Sequence, residues 1–123
     1  SMGGGGTASI SWMLPRAFAA FGPTAGYYWN SWGKVPNLKG VSYRVVHGAK
    51  DKYPEEPYDR LALAEQFVKL CKAAGATVEK VILPGVGHWL PAAQIPLMTN
   101  FLLKRQNKQP TDWTKVSQVG ESQ

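Results

Sequence analysis

Three side chains in this sequence suit proton transfer and attack on a carbonyl, and their order along the chain decides whether they can act together. Ser1 opens S-M-G-G. That wording fits the second half of a nucleophile elbow, G-x-S-x-G, and equally fits a remnant of a removed expression tag. Asp51 closes HGAKD (47–51) and His88 closes PGVGH (84–88), each just after an apolar run. A carboxylate that holds one imidazole nitrogen favours the imidazolium, while the other nitrogen takes a proton from a hydroxyl. Gly85 and Gly87 give the backbone freedom to bend beside the histidine. Each residue alone is ordinary, since an aspartate in a turn after a strand commonly bonds its own backbone. The argument rests on collinearity: strand and Asp, helix, strand and Gly-x-Gly-His, helix.

Those residues need elements to position them. TASISWML (7–14) has a helix-compatible apolar pattern that Pro15 should end. AFAAFGP (17–23) reads as a buried strand, and GYYWNSWGKVPNLKG (26–40) as a loop rich in aromatics and turn formers. VSYRVVHG (41–48) and TVEKVILP (77–84) read as strands. Between them, PYDRLALAEQFVKLCKAAG (57–75) places Leu63, Phe67, Leu70 and Ala74 on one helical stripe, with Gly75 as its stop. Cys71 sits beside the stripe and reads as a small buried hydrophobe. A last helix covers roughly 92–105, with Pro96 in its early part, and 109–123 reads as an extended tail. Strands alternating with helices predict an α/β domain over 1–108, built on a three-stranded parallel sheet with flanking helices. In such a sheet ligands bind beyond the carboxyl ends of the strands, where Asp51 and His88 both fall.

Length and composition bound the rest. The 123 residues allow one domain with a modest core. A hydrophobic fraction of 44% with 18% charged residues is ordinary for a soluble globular protein, and no apolar run nears the roughly 20 residues of a membrane helix. No signal-peptide pattern stands at the start, so the expected compartment is the cytoplasm. The single cysteine excludes an internal disulfide. The formal charge of +6 is scattered, apart from a few cations near the C-terminus, and nothing resembling a nucleic-acid motif accompanies it; a solvated basic surface is expected. His47 and His88 are far apart in sequence and lack metal-ligand spacing, so no metal or cofactor is expected. Tyr27, Tyr28, Trp29, Trp32 and Trp89 either line an apolar substrate pocket or pack over the core.

The segments SMGGGGTASISWMLPRAFAAFGPTAG (1–26), HGAKD (47–51) and AEQFVKLCKAAGATVEKVILPGVGHWLP (64–91) resemble the C-terminal half of an α/β-hydrolase, nearest to the dienelactone hydrolase-like and prolyl oligopeptidase-like esterases. The resemblance covers roughly residues 1–105. It implies Ser1 as nucleophile, Asp51 as triad acid, His88 as general base, and the Met2 backbone amide as one oxyanion donor. The implied reaction is hydrolysis of a small ester or peptide-like substrate through an acyl-enzyme. It also implies missing upstream strands and a missing second oxyanion donor, so that the chain alone should be weakly active or inactive. A sheet cut in this way presents an open edge, which a second copy or the upstream half must cover. The contrasting expectation is a non-enzymatic α/β module that pairs through that edge.

Overall fold

The computed structural model describes residues 1–28 and 34–106; Trp29, Trp32 and the tail lie outside them. The order of elements is α1 (Met2–Met13), β1 (Ser42–Gly48), α2 (Arg60–Ala73), β2 (Thr77–Leu83), a single 3-10 turn (Ala92–Gln94) and α3 (Ile95–Leu103). The strands β1 and β2 pair in parallel, from Ser42 opposite Thr77 to Gly48 opposite Leu83. This is an α/β architecture, with its helix-bearing crossover between neighbouring parallel strands.

The sheet has two strands among the described residues, not three. The expected strand at 17–23 is displaced toward 21–25 and makes only isolated parallel bridges to β1, Phe21 with Tyr43 and Thr24 with Val46. Both bridges share one register, and four backbone bonds hold them: Phe21 N to Ser42 O, Arg44 N to Phe21 O, Val46 N to Pro23 O and Ala25 N to Val46 O. The rung missing from this series is the one Pro23 would donate to Arg44, and proline has no N–H to give. The proline interrupts the ladder while the chain stays alongside.

Helix α1 begins at Met2, five residues before the Thr7 start expected from the apolar pattern. Its glycine-rich first turns have poor helix propensity, at about 1 kcal/mol each relative to alanine. Close packing outweighs that preference. A β-carbon on Gly4 would lie 2.5 Å from Gly26 Cα and from Thr24 O, and one on Gly5 would lie 2.5 Å from Tyr27 O. The small residues let α1 sit directly on the 24–27 backbone.

Helix α2 starts at its cap, Asp59, whose side chain accepts from Ala62 N at 3.0 Å. It ends in a Schellman turn: Ala76 N donates to Cys71 O, Gly75 N donates to Lys72 O, and Gly75 has φ +99°. The buried face of α2 carries Ala64, Phe67, Val68 and Cys71, with Leu63, Leu70 and Ala74 only half-buried at its border. Thus Cys71 belongs to the stripe itself. Burial pushes its thiol up to about 12, and its sulfur accepts from Trp12 Nε1 at 3.4 Å.

Strand β1 divides two apolar clusters by the alternation of its side chains. Tyr43 and Val45 join Trp12 of α1 and Phe67 of α2 on one face. Val46 joins Met98 and Phe101 of α3 on the other. Helices on both faces bury β1 almost throughout, whereas β2 keeps exposed residues such as Glu79 and Lys80 at the sheet's edge.

Candidate active site

The carboxyl ends of β1 and β2 run into two turns that are bonded to each other. Ala49 N donates to Leu83 O at 2.9 Å, and Lys50 N donates to Val86 O at 2.8 Å. In the second turn Pro84 and Gly85 occupy the central positions and Val86 N donates back to Leu83 O. Gly85 has φ +74°, the left-handed conformation that the second central residue of a type II turn requires. Gly48 allows the turns to close: a β-carbon there would collide with the carbonyl oxygens of Gly87 and Val86. Asp51 is turned back by its own N–H bond to Gly48 O, and His88 emerges above it.

The two residues meet. His88 Nδ1 lies 2.8 Å from Asp51 Oδ2. The Asp51 side chain is fully buried, and the His88 side chain retains 22% of its exposure. A buried carboxylate therefore holds one ring nitrogen, and the imidazole is accessible at the rim. This is the geometry in which a carboxylate orients a general base.

A third titratable group shares that oxygen. His47 Nε2, on the penultimate residue of β1, lies 2.8 Å from Asp51 Oδ2, without the alignment of a hydrogen bond. His47 is only 1% exposed. Burial holds its imidazole below the ordinary histidine range; Asp51 opposes that shift, while His88 and the α-ammonium of Ser1 add to it. Arg60 Nη1 stands 3.9 Å from the other oxygen, Asp51 Oδ1, which makes no hydrogen bond among the described residues. The guanidinium is committed elsewhere, to a bidentate pair with Glu56 and to the faces of Tyr53 and Tyr27 at 5.3 and 5.8 Å. The sequence gives His47 no role, because it lacks metal-ligand spacing. The signal that could have found it is alternation, because Tyr43, Val45 and His47 fall on one strand face and the third member is polar.

Ser1 sits at the same end of the sheet. Its carbonyl accepts from Gly5 N at 3.0 Å and from Tyr27 N at 3.2 Å, and its charged amine acts on the buried His47. As N-cap of α1 it makes no side-chain cap bond, so its hydroxyl is not engaged in capping the helix. No hydrogen bond joins that hydroxyl to His88 among the described residues. The Met2 amide belongs to the first turn of α1, where backbone N–H groups lack intrahelical acceptors.

The aromatic residues divide. Tyr28 is 1% exposed and stacks on Phe67 at 4.9 Å, which makes it a core residue. Tyr27 lies at the rim, edge-on to Tyr58 at 5.0 Å. Trp89, directly after His88, is 57% exposed. Trp29 and Trp32 lie outside the described residues. No cluster of three or more His, Cys, Asp or Glu suited to a metal occurs among the described residues, and none of their helices is long and apolar enough to cross a membrane. Comparison with protein-family models, with curated proteins and with solved structures finds no match.

Proposed function

We propose that this chain carries the Ser1, Asp51 and His88 triad of a serine hydrolase that cleaves carboxylic esters through an acyl-enzyme. One observation carries the reading: the buried Asp51 carboxylate lies 2.8 Å from His88 Nδ1, at the carboxyl ends of two neighbouring parallel strands. His88 would take the proton of Ser1 and return it to the leaving alcohol. Met2 N–H, beside Ser1 at the positive end of α1, would receive the developing oxyanion. The exposed Trp89 and the rim residue Tyr27 favour an apolar or aromatic group on the substrate. With one oxyanion donor identified, activity of this chain alone is expected to be low, since loss of a single donor lowers turnover by ~100-fold or more.

The test is hydrolysis of short p-nitrophenyl esters by this chain and by a version extended upstream of Ser1. Activity in the extended version that disappears with His88→Ala or Asp51→Asn supports the assignment. An inert extended version, or activity indifferent to His88→Ala, removes it.

A second reading is favoured by a different observation. Beside the segment 21–25 runs an apolar groove of about 290 Å³, bordered by Ile10, Phe18, Phe21 and Leu102. Ile10, Phe18 and Leu102 are exposed. On this reading the chain is a binding module that pairs its open edge with a copy of itself or a partner strand. Light scattering after size exclusion distinguishes the cases. A stable dimer that Phe18→Glu splits favours the module, and a monomer counts against self-pairing.

A further inference from the structure

We infer that His47 is a positioning residue, a neutral imidazole that holds the Asp51 carboxylate through the same oxygen, Oδ2, that His88 meets. This rests on the reading of Asp51 and His88 as an acid–base pair. The need for such an anchor follows from what surrounds the carboxylate. Asp51 is fully buried, yet its Oδ1 makes no hydrogen bond among the described residues, and Arg60 is 3.9 Å away with its guanidinium committed to Glu56. Among the described residues two imidazoles approach Oδ2, each at 2.8 Å: His88 Nδ1 in a hydrogen bond, His47 Nε2 in a close contact without hydrogen-bond alignment. A carboxylate held by His88 alone would be oriented by the very group it has to orient. His47 supplies the independent hold, because its own position is fixed by β1. Its backbone neighbour Val46 is bonded on both sides to the 23–25 segment, and its ring packs 6.1 Å from that of Tyr28.

Burial also assigns the two rings their roles. Two imidazolium groups on one carboxylate oxygen would repel each other, so at most one carries a proton readily. His47 has no access to solvent, and charge on it is opposed by burial, by His88 and by the Ser1 ammonium, with Asp51 alone favouring it strongly. Arg60 adds positive charge on the far side of the carboxylate. The partly exposed ring, His88, is the one that reaches the surface. His47 therefore stays neutral, and protonating it would draw the charge of Asp51 away from His88.

The test uses the ¹⁵N-labelled full chain and follows the ring nitrogens of both histidines and the His88 Nδ1–H resonance by NMR. In the wild type, the His88 Nδ1–H resonance is expected far downfield while His47 is neutral, and to move upfield in step with protonation of His47. In His47→Phe the resonance moves upfield and broadens although the fold is retained. In His47→Gln, which keeps a side-chain donor, it returns most of the way. An unchanged His88 resonance in a folded His47→Phe chain overturns the inference. Should that variant fail to fold, a wild-type His47 that protonates without moving the His88 resonance overturns it as well. Asp51→Asn is the control that separates the two ideas. A downfield signal that ignores Asp51→Asn, or is absent from the wild type, ends the acid–base pair itself; a signal that needs Asp51 but ignores His47 ends only the positioning role.

Discussion

The two faces of β1 carry the same strand to different ends. On one face Tyr43 and Val45 lie among aromatic rings and the series closes with His47, a buried polar group against a buried carboxylate. On the other, Arg44 and Val46 face α3 and the series closes with Gly48, where the absence of a side chain lets the 84–88 turn come down onto the sheet. The first face supplies charge and the second supplies room. Neither is sufficient: without Gly48 the turn bearing His88 stands off, and without the buried face Asp51 has nothing to turn toward.

The largest expected effect lies in the aromatic core of the first face. The ring of Phe67 contacts Trp12 at 5.8 Å, Tyr28 at 4.9 Å and Tyr43 at 5.8 Å, tying α1, α2 and β1 together. Phe101 is equally buried on the second face, but guanidinium groups of Arg44 and Arg105 cover its ring and can follow it as the site collapses. Phe67→Ala is expected to destabilise by about 3–5 kcal/mol. Phe101→Ala is expected at the low end of that range or below, because its neighbours are long and flexible. Urea denaturation of both variants checks the order, and equal losses would mean that the two faces are equally rigid.

Gly48→Ala comes next. The added methyl meets two carbonyl oxygens of the 84–88 turn, which are backbone and must shift as a unit. A loss of about 1–3 kcal/mol is expected, as for other overpacked sites. The sharper consequence is local: His88 should lose its Asp51 bond while the aromatic core stays intact. Near-ultraviolet dichroism reports the core, and the His88 Nδ1–H resonance reports the bond. Loss of both together would make the two faces one cooperative unit.

These features differ in how far the sequence discloses them. Asp51 and His88 could be placed on one rim because each closes a β-branched run and a helix with an obvious stripe separates them. The parallel pairing of β1 and β2 follows from the same alternation. Helix α1 could not be read in full, because glycine propensity argues against a start at Met2 and only the contact with 24–27 reverses it. A third strand is expected at 17–23, two to four residues ahead of the 21–25 segment that makes only isolated bridges, and counting apolar residues does not reveal that Pro23 removes one rung. His47 escaped because a lone histidine carries no periodic signal until its strand face is known. Tyr28 shows the converse: its place in an aromatic loop leaves pocket and core both open, and packing puts it in the core.

A smaller effect concerns pH. Burial, with His88 adding to it, holds His47 below its ordinary pKa of 6.5, so the unfolded chain takes up this proton at a higher pH than the folded one. Between those two values the unfolded state binds more protons, and stability rises with pH. The contribution of His47 is therefore complete above pH 6.5 and is lost as the pH falls from there toward the depressed folded value. The slope from one proton is at most about 1.4 kcal/mol per pH unit. Urea midpoints measured across this window should fall with acid in the wild type and less steeply in His47→Phe. Parallel profiles would place the acid sensitivity elsewhere and remove the claim that the polar end of the first face limits stability.

The smallest effect separates polar contacts at the two ends of that face. Tyr43 Oη donates to Ser11 Oγ at 2.7 Å, and Ser11 Oγ donates in turn to Ala8 O at 2.6 Å, all buried between β1 and α1. Burial pushes the Tyr43 phenol well above its ordinary range, so it remains a neutral donor at any working pH. Tyr43→Phe deletes the oxygen and leaves the Ser11 hydroxyl with its helical acceptor, so no buried donor loses its partner. The loss should be only about 1 kcal/mol. It should also be independent of pH, because neither partner titrates in the working range. The His47–Asp51 contact lies at the other end of the same face, with comparable burial, and differs in carrying charge. A Tyr43→Phe loss that varies with pH in the window where His47 titrates would show that the hydroxyl chain and the carboxylate cluster are coupled through β1. A flat profile leaves the charged cluster as a local device at the rim, with the strand between acting only as support.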